Sequence, residues 1–389
     1  MRSADRVGPR ATPGPSEEPS GERGIALVVA IIALAVIGAI VAGTFFVSSL
    51  EQKTAANVID VAQAYQAAEA GIVRTVAAWS PAYNTMAVDG SLATGPDSIA
   101  RGVSANVTIF RLNSNLFLVR SVGTRRGATQ TLASVLRLLT VDPSVSAALT
   151  TTGNVALIGN VAIDGTGAVP ADWTVCGPVS GAGGIRAGGG VEASDHPSIA
   201  GAPPTVQRDS SITDAALRTP FDRLKDAATL SLAGGSGAGN FAAFNGIGPS
   251  TTGALRTCDG ADPANWGEPL RSGAHIAACA GYAPVVYIEG NARIDGPGRG
   301  QGVLLVRGDL WISGAFSWVG LVIATGEVTI SDANGAVAGA MFARGANLVS
   351  SGGAAGAPVV SYSKCALDYV LRSAAVARPL ATRAWLQVF

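Results

Sequence analysis

The chain has 389 residues, with 27 basic and 27 acidic side chains and a formal net charge of zero, so no basic surplus exists to attract nucleic acid. Charged residues make up 14% and hydrophobic residues 48%, which leaves enough apolar side chain for a real core and excludes a wholly disordered chain. Glycine, at 50 residues, is well above its usual share of about 7%, and with valine, isoleucine and leucine between the glycines this predicts tight turns; length alone predicts two or three domains.

Residues 1–20 hold Pro, Gly, Ser and charge without apolar periodicity and are expected to be disordered. Gly21-Glu22-Arg23-Gly24 follows, and 25–50 then runs without a charged residue, longer than the roughly 20 residues that cross a bilayer as a helix. Beyond Glu51 and Lys53, the residues Val58, Val61, Tyr65, Ala68, Ile72, Val76 and Trp79 recur at steps of three and four, one stripe of an amphipathic helix. No proline falls between Ile25 and Trp79, and Ser80-Pro81 ends the pattern. The spacing predicts one helix over 25–80, about 80 Å long, with 25–50 as its membrane-spanning half. Four arginines precede the span and only Lys53 closely follows it, which keeps the N-terminus cytoplasmic and the bulk of the chain outside.

Arg23-Gly24-Ile25-Ala26-Leu27-Val28-Val29 and, some 40 residues on, Ala64-Tyr65-Gln66-Ala67-Ala68-Glu69-Ala70-Gly71 resemble a type IV pilin or pseudopilin, most closely the PilX-type minor pilins. The resemblance implies a leader, residues 1–24, that a prepilin peptidase removes by cutting after Gly24, leaving Ile25 as the N-terminus. It implies that Ala26, Leu27, Val28, Val29, Gly38 and Glu69 belong to a helix serving first as an inner-membrane anchor and then as filament core. The implied partners are other pilin subunits, the peptidase and inner-membrane lipid, and the implied location is the inner membrane before assembly and a periplasmic or cell-surface pilus after it. Two features depart from the family: Val29 stands where most pilins carry a glutamate, and the leader's Arg2, Arg6, Arg10 and Arg23 are balanced by Asp5, Glu17, Glu18 and Glu22. An ordinary signal anchor is the alternative, and it leaves the amphipathic extension and the Ala-Glu-Ala-Gly end without a reason.

Residues 81–100 read as loop, with Gly90 and Gly95-Pro96-Asp97. Three strand-like runs follow at 103–112, 116–122 and 129–139, separated by Asn113-Ser114 and Thr124-Arg125-Arg126-Gly127, and predict an antiparallel meander over 81–142 packed against the helical stripe. From Gly153 a period of six begins, and it returns at Gly290, Gly296, Gly302, Gly308, Gly314, Gly320 and Gly326. Short β-prone runs punctuated by turn glycines predict a β-solenoid-like domain over 143–366, with Gly302, Gly308, Gly314, Gly320 and Gly326 at its corners; a small β-sandwich is the alternative. Residues 176–282, rich in Gly, Pro and Ser, read as an excursion carrying one helix from Thr219-Pro220. The tail 367–389 is expected to dock on the head through Trp385, Leu386, Val388 and Phe389. The predicted fold class is therefore α+β.

The four cysteines, Cys176, Cys258, Cys279 and Cys365, lack metal-ligand spacing, and an even count in an exported region favours disulfides. Cys258 and Cys279 are close in sequence and make one expected pair, leaving Cys176 with Cys365; four buried free thiols are the other possibility. His196 sits in a polar loop, no Gly-x-Ser-x-Gly elbow occurs, and the runs 235–239 and 298–302 lack the ending of a phosphate loop. Asp164, Glu289, Asp295, Asp309, Glu327 and Asp332 lie near strands or turns, most of them beside a turn glycine, where solvated acids sit. No cofactor or metal is expected. The sequence thus predicts a non-enzymatic minor pilin, with a membrane-tethered solenoid that binds or cleaves polysaccharide, through acids such as these or an aromatic stripe of Trp311, Phe316 and Trp318, as the alternative.

Overall fold

The structure, a computed structural model, describes residues 23–388 apart from 171–172, 174–175, 177–179, 274, 332–334, 351–357 and 382–384; residues 1–22 of the expected leader 1–24, Asp332 and Phe389 lie outside the described residues. It is α+β. Helix α1 (Arg23–Ala77) is followed by a single turn, α2 (Pro81–Asn84). Four antiparallel strands come next: β1 (Ser91–Ala100), β2 (Val103–Arg111), β3 (Leu116–Arg125) and β4 (Ala128–Leu139). β1 corrects the reading of 81–100 as loop. It carries no apolar alternation, lies exposed at the sheet edge, and is bulged at Gly95-Pro96, between Thr94 and Asp97. Such features blunt an edge strand and also hide it from pattern reading.

The chain then enters a stack of parallel strands. The first segment winds through β5 (Ala147–Thr151), β6 (Val155–Ile158), β7 (Ala162–Asp164), β8 (Gly183–Ala187), β9 (Val191–Ser194), β10 (Ser198–Ala200) and β11 (Val206–Arg208). Helix α3 (Asp214–Lys225) follows, with Leu217, Phe221 and Leu224 buried. The second segment holds β12 (Leu230–Ala233), β13 (Ala242–Phe244) and a small hairpin of β14 (Thr251–Thr252) and β15 (Thr257–Cys258). It continues through β16 (Val285–Glu289), β17 (Ala292–Asp295), β18 (Gly298–Val306), β19 (Leu310–Ser313), β20 (Phe316–Ala324), β21 (Glu327–Ser331), β22 (Ala336–Ala343), β23 (Gly345–Val349) and β24 (Val359–Tyr362). Helix α4 (Lys364–Ser373) and strands β25 (Val376–Pro379) and β26 (Trp385–Val388) end the chain, both strands pairing antiparallel with β4. The solenoid is therefore inserted within the head sheet, between β4 and β25.

Register explains the period of six. Val303 pairs with Leu321, eighteen residues on, and Leu310 with Val328, so each turn spends six residues on each of three faces. Gly302, Gly320 and Gly339 stack in one line with φ of +122°, +134° and +153°, where the long strands bend from one face to the next. Gly308 and Gly314 also have positive φ, +159° and +86°, in a region that favours glycine. Gly326 is not held at a positive φ; a Cβ there would instead run into Asp309 and the Gly308 backbone.

The order of turns is not the order of the sequence. The last turn of the second segment stacks on the first turn of the first, through β22 on β5, β23 on β6 and β24 on β7. The chain thus enters the solenoid in the middle, winds out to one end through β11, returns outside along α3, restarts at β12 and winds back to the entry turn. Residues 176–282 are only in part an excursion: β8 to β13 are rungs of the stack. Glycine-rich composition conceals them because outer turns bury few large side chains.

Candidate functional site

The two halves of α1 have different surroundings. Residues 25–50 pack against nothing: Ile25 is 69% exposed and Phe45 73%, Ala26, Leu27, Val28 and Val29 are all exposed, and nothing lies within 4 Å of a Cβ built on Gly38 or Gly43. The helix is long and apolar enough to cross a membrane. Two of its hydroxyls are satisfied internally, Thr44 Oγ1 donating to the Val41 carbonyl at 2.8 Å and Ser49 Oγ to that of Phe46 at 2.8 Å, as suits an apolar surrounding.

The second half is seated on the sheet through small residues. Ala64, Ala67, Ala68, Gly71 and Ile72 are buried, with Val76 and Trp79 half-buried beyond them. Val58, Val61 and Tyr65, expected on the buried stripe, are instead exposed. The contact face is rotated toward alanine and glycine because the helix lies against backbone. A Cβ on Gly123 of β3 would collide with the Ala64 carbonyl and with the Ala68 nitrogen, and one on Gly71 would stand 2.5 Å from Ser121 Oγ and 2.9 Å from Ala105 Cβ. The Ala68-Glu69-Ala70-Gly71 run is explained by this seat: Ala68 and Gly71 face the sheet while Glu69 is exposed. Asp60 pairs with Arg125 at 3.5 Å where the contact begins.

Asn84, absent from the sequence reading, ties the seat to the rest of the chain. It is fully buried, accepts from Trp79 Nε1 at 2.7 Å and donates through Nδ2 to the carbonyls of Arg372, Ser373 and Ala375. It thereby supplies α4 with a cap for its last carbonyls. Nothing in the local sequence marks it, since its partners lie nearly 290 residues away. Gly123 could have been found: an isolated glycine inside a strand pattern signals close backbone approach.

Both cysteine pairs are bonded, Cys176 to Cys365 and Cys258 to Cys279. Beside the second bond, Glu268 is fully buried, its amide donating to the Cys279 carbonyl at 3.3 Å, and it holds Arg299 through two hydrogen bonds of 2.9 and 3.0 Å. Burial raises the Glu268 pKa, but Arg299 and the amides of Ile276 and Leu270 outweigh it, and the carboxyl titrates below its ordinary value. Arg271 lies over the Trp173 ring at 4.4 Å and donates to Gln301 Oε1. This knot closes a loop over one solenoid face while α3 covers another, its Phe221 meeting Tyr287 edge-on.

The solenoid acids are spread along the rungs. Asp295 accepts from Ser313 and Arg293, which hold its pKa down; Asp309 accepts from the Glu327 amide; Glu289 meets Arg307; Asp164 turns back on Thr166. Among the described residues no three His, Cys, Asp or Glu are grouped to hold a metal. Phe316 and Trp318 are buried core, and Trp311 alone of the three aromatics faces outward, edged by Phe241 and Arg293. His196 is an exposed turn residue with φ of +68°.

Residues 23–73 match the family model described as PilX N-terminal. No curated protein matches the chain. Among solved structures, the competence-associated pilin ComZ from Thermus thermophilus is similar at 12% identity, over 85% of this chain and 98% of that chain, with a TM-score of 0.25, a superposition too loose to bear on this architecture.

Proposed function

We propose that this chain, whose N-terminal helix belongs to the PilX N-terminal family, is a minor pilin, cut after Gly24 by a prepilin peptidase and carried at the tip of a type IV pilus-like filament. The observation that carries the reading is the division of α1. Residues 25–50 are bare apolar helix, while 64–72 are locked onto the sheet. A bare apolar surface of that length needs lipid or other apolar helices around it, and other pilin subunits would supply the latter. Val29 supports a tip position. The glutamate usual there needs a partner when buried, and a valine needs none, so this subunit requires no neighbour above it.

The N-terminal mass of the membrane-extracted protein tests the processing step. The expected species begins at Ile25, and Gly24→Leu leaves a full-length precursor. A native protein that keeps Met1 refutes the pilin reading. It favours instead a tethered solenoid whose uncovered face, carrying Arg293, Trp311, Thr329 and Asn347 on adjacent rungs, would bind polysaccharide.

A further inference from the structure

The solenoid is continuous in space and broken in sequence. Among the described residues, all its rungs but one join strands of the same segment. The exception is the seam, where Leu149 meets Met341, Leu157 meets Leu348 and Ile163 meets Val360. These pairs lie close to 190 residues apart, so the seam closes only after the second segment has wound back from the far end. Until then β5, β6 and β7 present bare parallel edges, and β25, which follows the second segment, has not reached β4.

The Cys176–Cys365 bond spans this seam. Cys176 lies on the first segment, in the link between β7 and β8, and Cys365 lies on α4, just beyond the end of β24. β7 and β24 are themselves the paired strands of one seam rung, so the bond ties together the two chains as they leave that rung. It is packed with Trp173, Val319, Ala338 and Ala366. Cys258–Cys279 differs in kind, since both its cysteines belong to the second segment. Helix α4 runs from Cys365 directly to the Asn84 contacts and β25. Whatever holds its start at the seam therefore also holds the return strand of the head sheet.

We propose that Cys176–Cys365 is a redox latch that forms when the two solenoid segments meet and then holds both the seam and the closure of the head sheet. In the step, the two thiols lose two protons and two electrons as their S–S bond forms. The electrons pass by thiol–disulfide exchange to an incoming disulfide, whose own S–S bond breaks to give two thiols. The latch does not depend on the chain entering a filament.

Hydrogen exchange on the full membrane-extracted chain tests it. In Cys176→Ala/Cys365→Ala, amides of β5 to β7, β22 to β24 and β25 are expected to exchange at least about tenfold faster, and in Cys258→Ala/Cys279→Ala those same amides are expected to stay within about twofold of the unmodified chain. If the first variant does not fold, the unmodified chain under graded reductant gives the second reading, with alkylation of Cys176 and Cys365 appearing together with loss of seam protection. Seam strands that keep their protection after the bond is gone overturn the latch. So does equal loosening in both variants.

Discussion

Two residues illustrate how closely the fold depends on single atoms. Gly123 lies where α1 rides on β3, and an added methyl meets the Ala64 backbone. Overpacking of this sort costs about 1–3 kcal/mol. Gly123→Ala should therefore lower the melting temperature of the extracted protein, while Gly95→Ala in the same sheet, with nothing within 4 Å of its Cβ, should leave it unchanged; equal melting temperatures would show that the seat is looser than described. Asp209 tests the solenoid's polar contacts. The Ser211 hydroxyl first, and the Arg186 guanidinium next, hold its carboxyl down to about 2, against 3.8 for the free group. A depressed carboxylate pKa favours the folded state above the unfolded value, and that contribution is lost as pH falls through the folded value. The Asp209 contribution should thus persist at pH 5 and vanish between about 4 and 2. Carboxyl NMR should place its midpoint near 2 and find it raised by Ser211→Ala and by Arg186→Gln; a wild-type midpoint near 4 refutes the assignment.

At the scale of elements, legibility in the sequence followed how local the cause was. Helix α1 was readable because its period and lack of proline are local, and Ala68, Ile72, Val76 and Trp79 of the expected stripe do face the sheet, whereas Val58, Val61 and Tyr65 do not. Val58, Val61 and Tyr65 are larger apolar residues, yet Ala64, Ala67, Ala68 and Gly71 take the seat, where the helix lies close against the β3 backbone. The solenoid was readable because each face uses six residues and each bend prefers glycine. Its threading was not, because nothing in β5 or β22 records that they will stack on each other rather than on the turns adjacent in sequence. Asn84 was hidden for the same reason, being fixed by distant backbone, whereas β1, which pairs with its neighbour β2, was hidden by its lack of apolar alternation. The bends themselves can be tested at Gly320, where φ is +134° and a side chain would run into the Gly302 carbonyl and lie 3.0 Å from Val370. Gly320→Val should cost on the order of 1–3 kcal/mol and reduce hydrogen-exchange protection in β18, β20 and α4 together, whereas unaltered protection there would mean that the bend tolerates a side chain.

The whole molecule offers two separate reasons for a tip position, and its topology allows them to be distinguished. One reason is Val29. The other is bulk: the insertion between β4 and β25 places a second body beside the head, and repeating it at every step of a packed shaft would bring neighbouring copies into collision. The insertion leaves and re-enters at adjacent points, since Leu139 of β4 is paired directly with Val376 of β25, and paired antiparallel residues stand only about 5 Å apart. A short turn can therefore replace residues 141–374 and leave α1 with its sheet, including the Asn84 bond to the Ala375 carbonyl. Quantitative mass spectrometry of sheared filaments should find the full chain at a few copies per filament. If bulk is what confines it, the shortened chain should rise toward the copy number of the major subunit. If the residue at position 29 confines it, the shortened chain should stay rare and Val29→Glu in that background should release it. A full-length chain present at the major subunit's level would reject the tip position on both grounds.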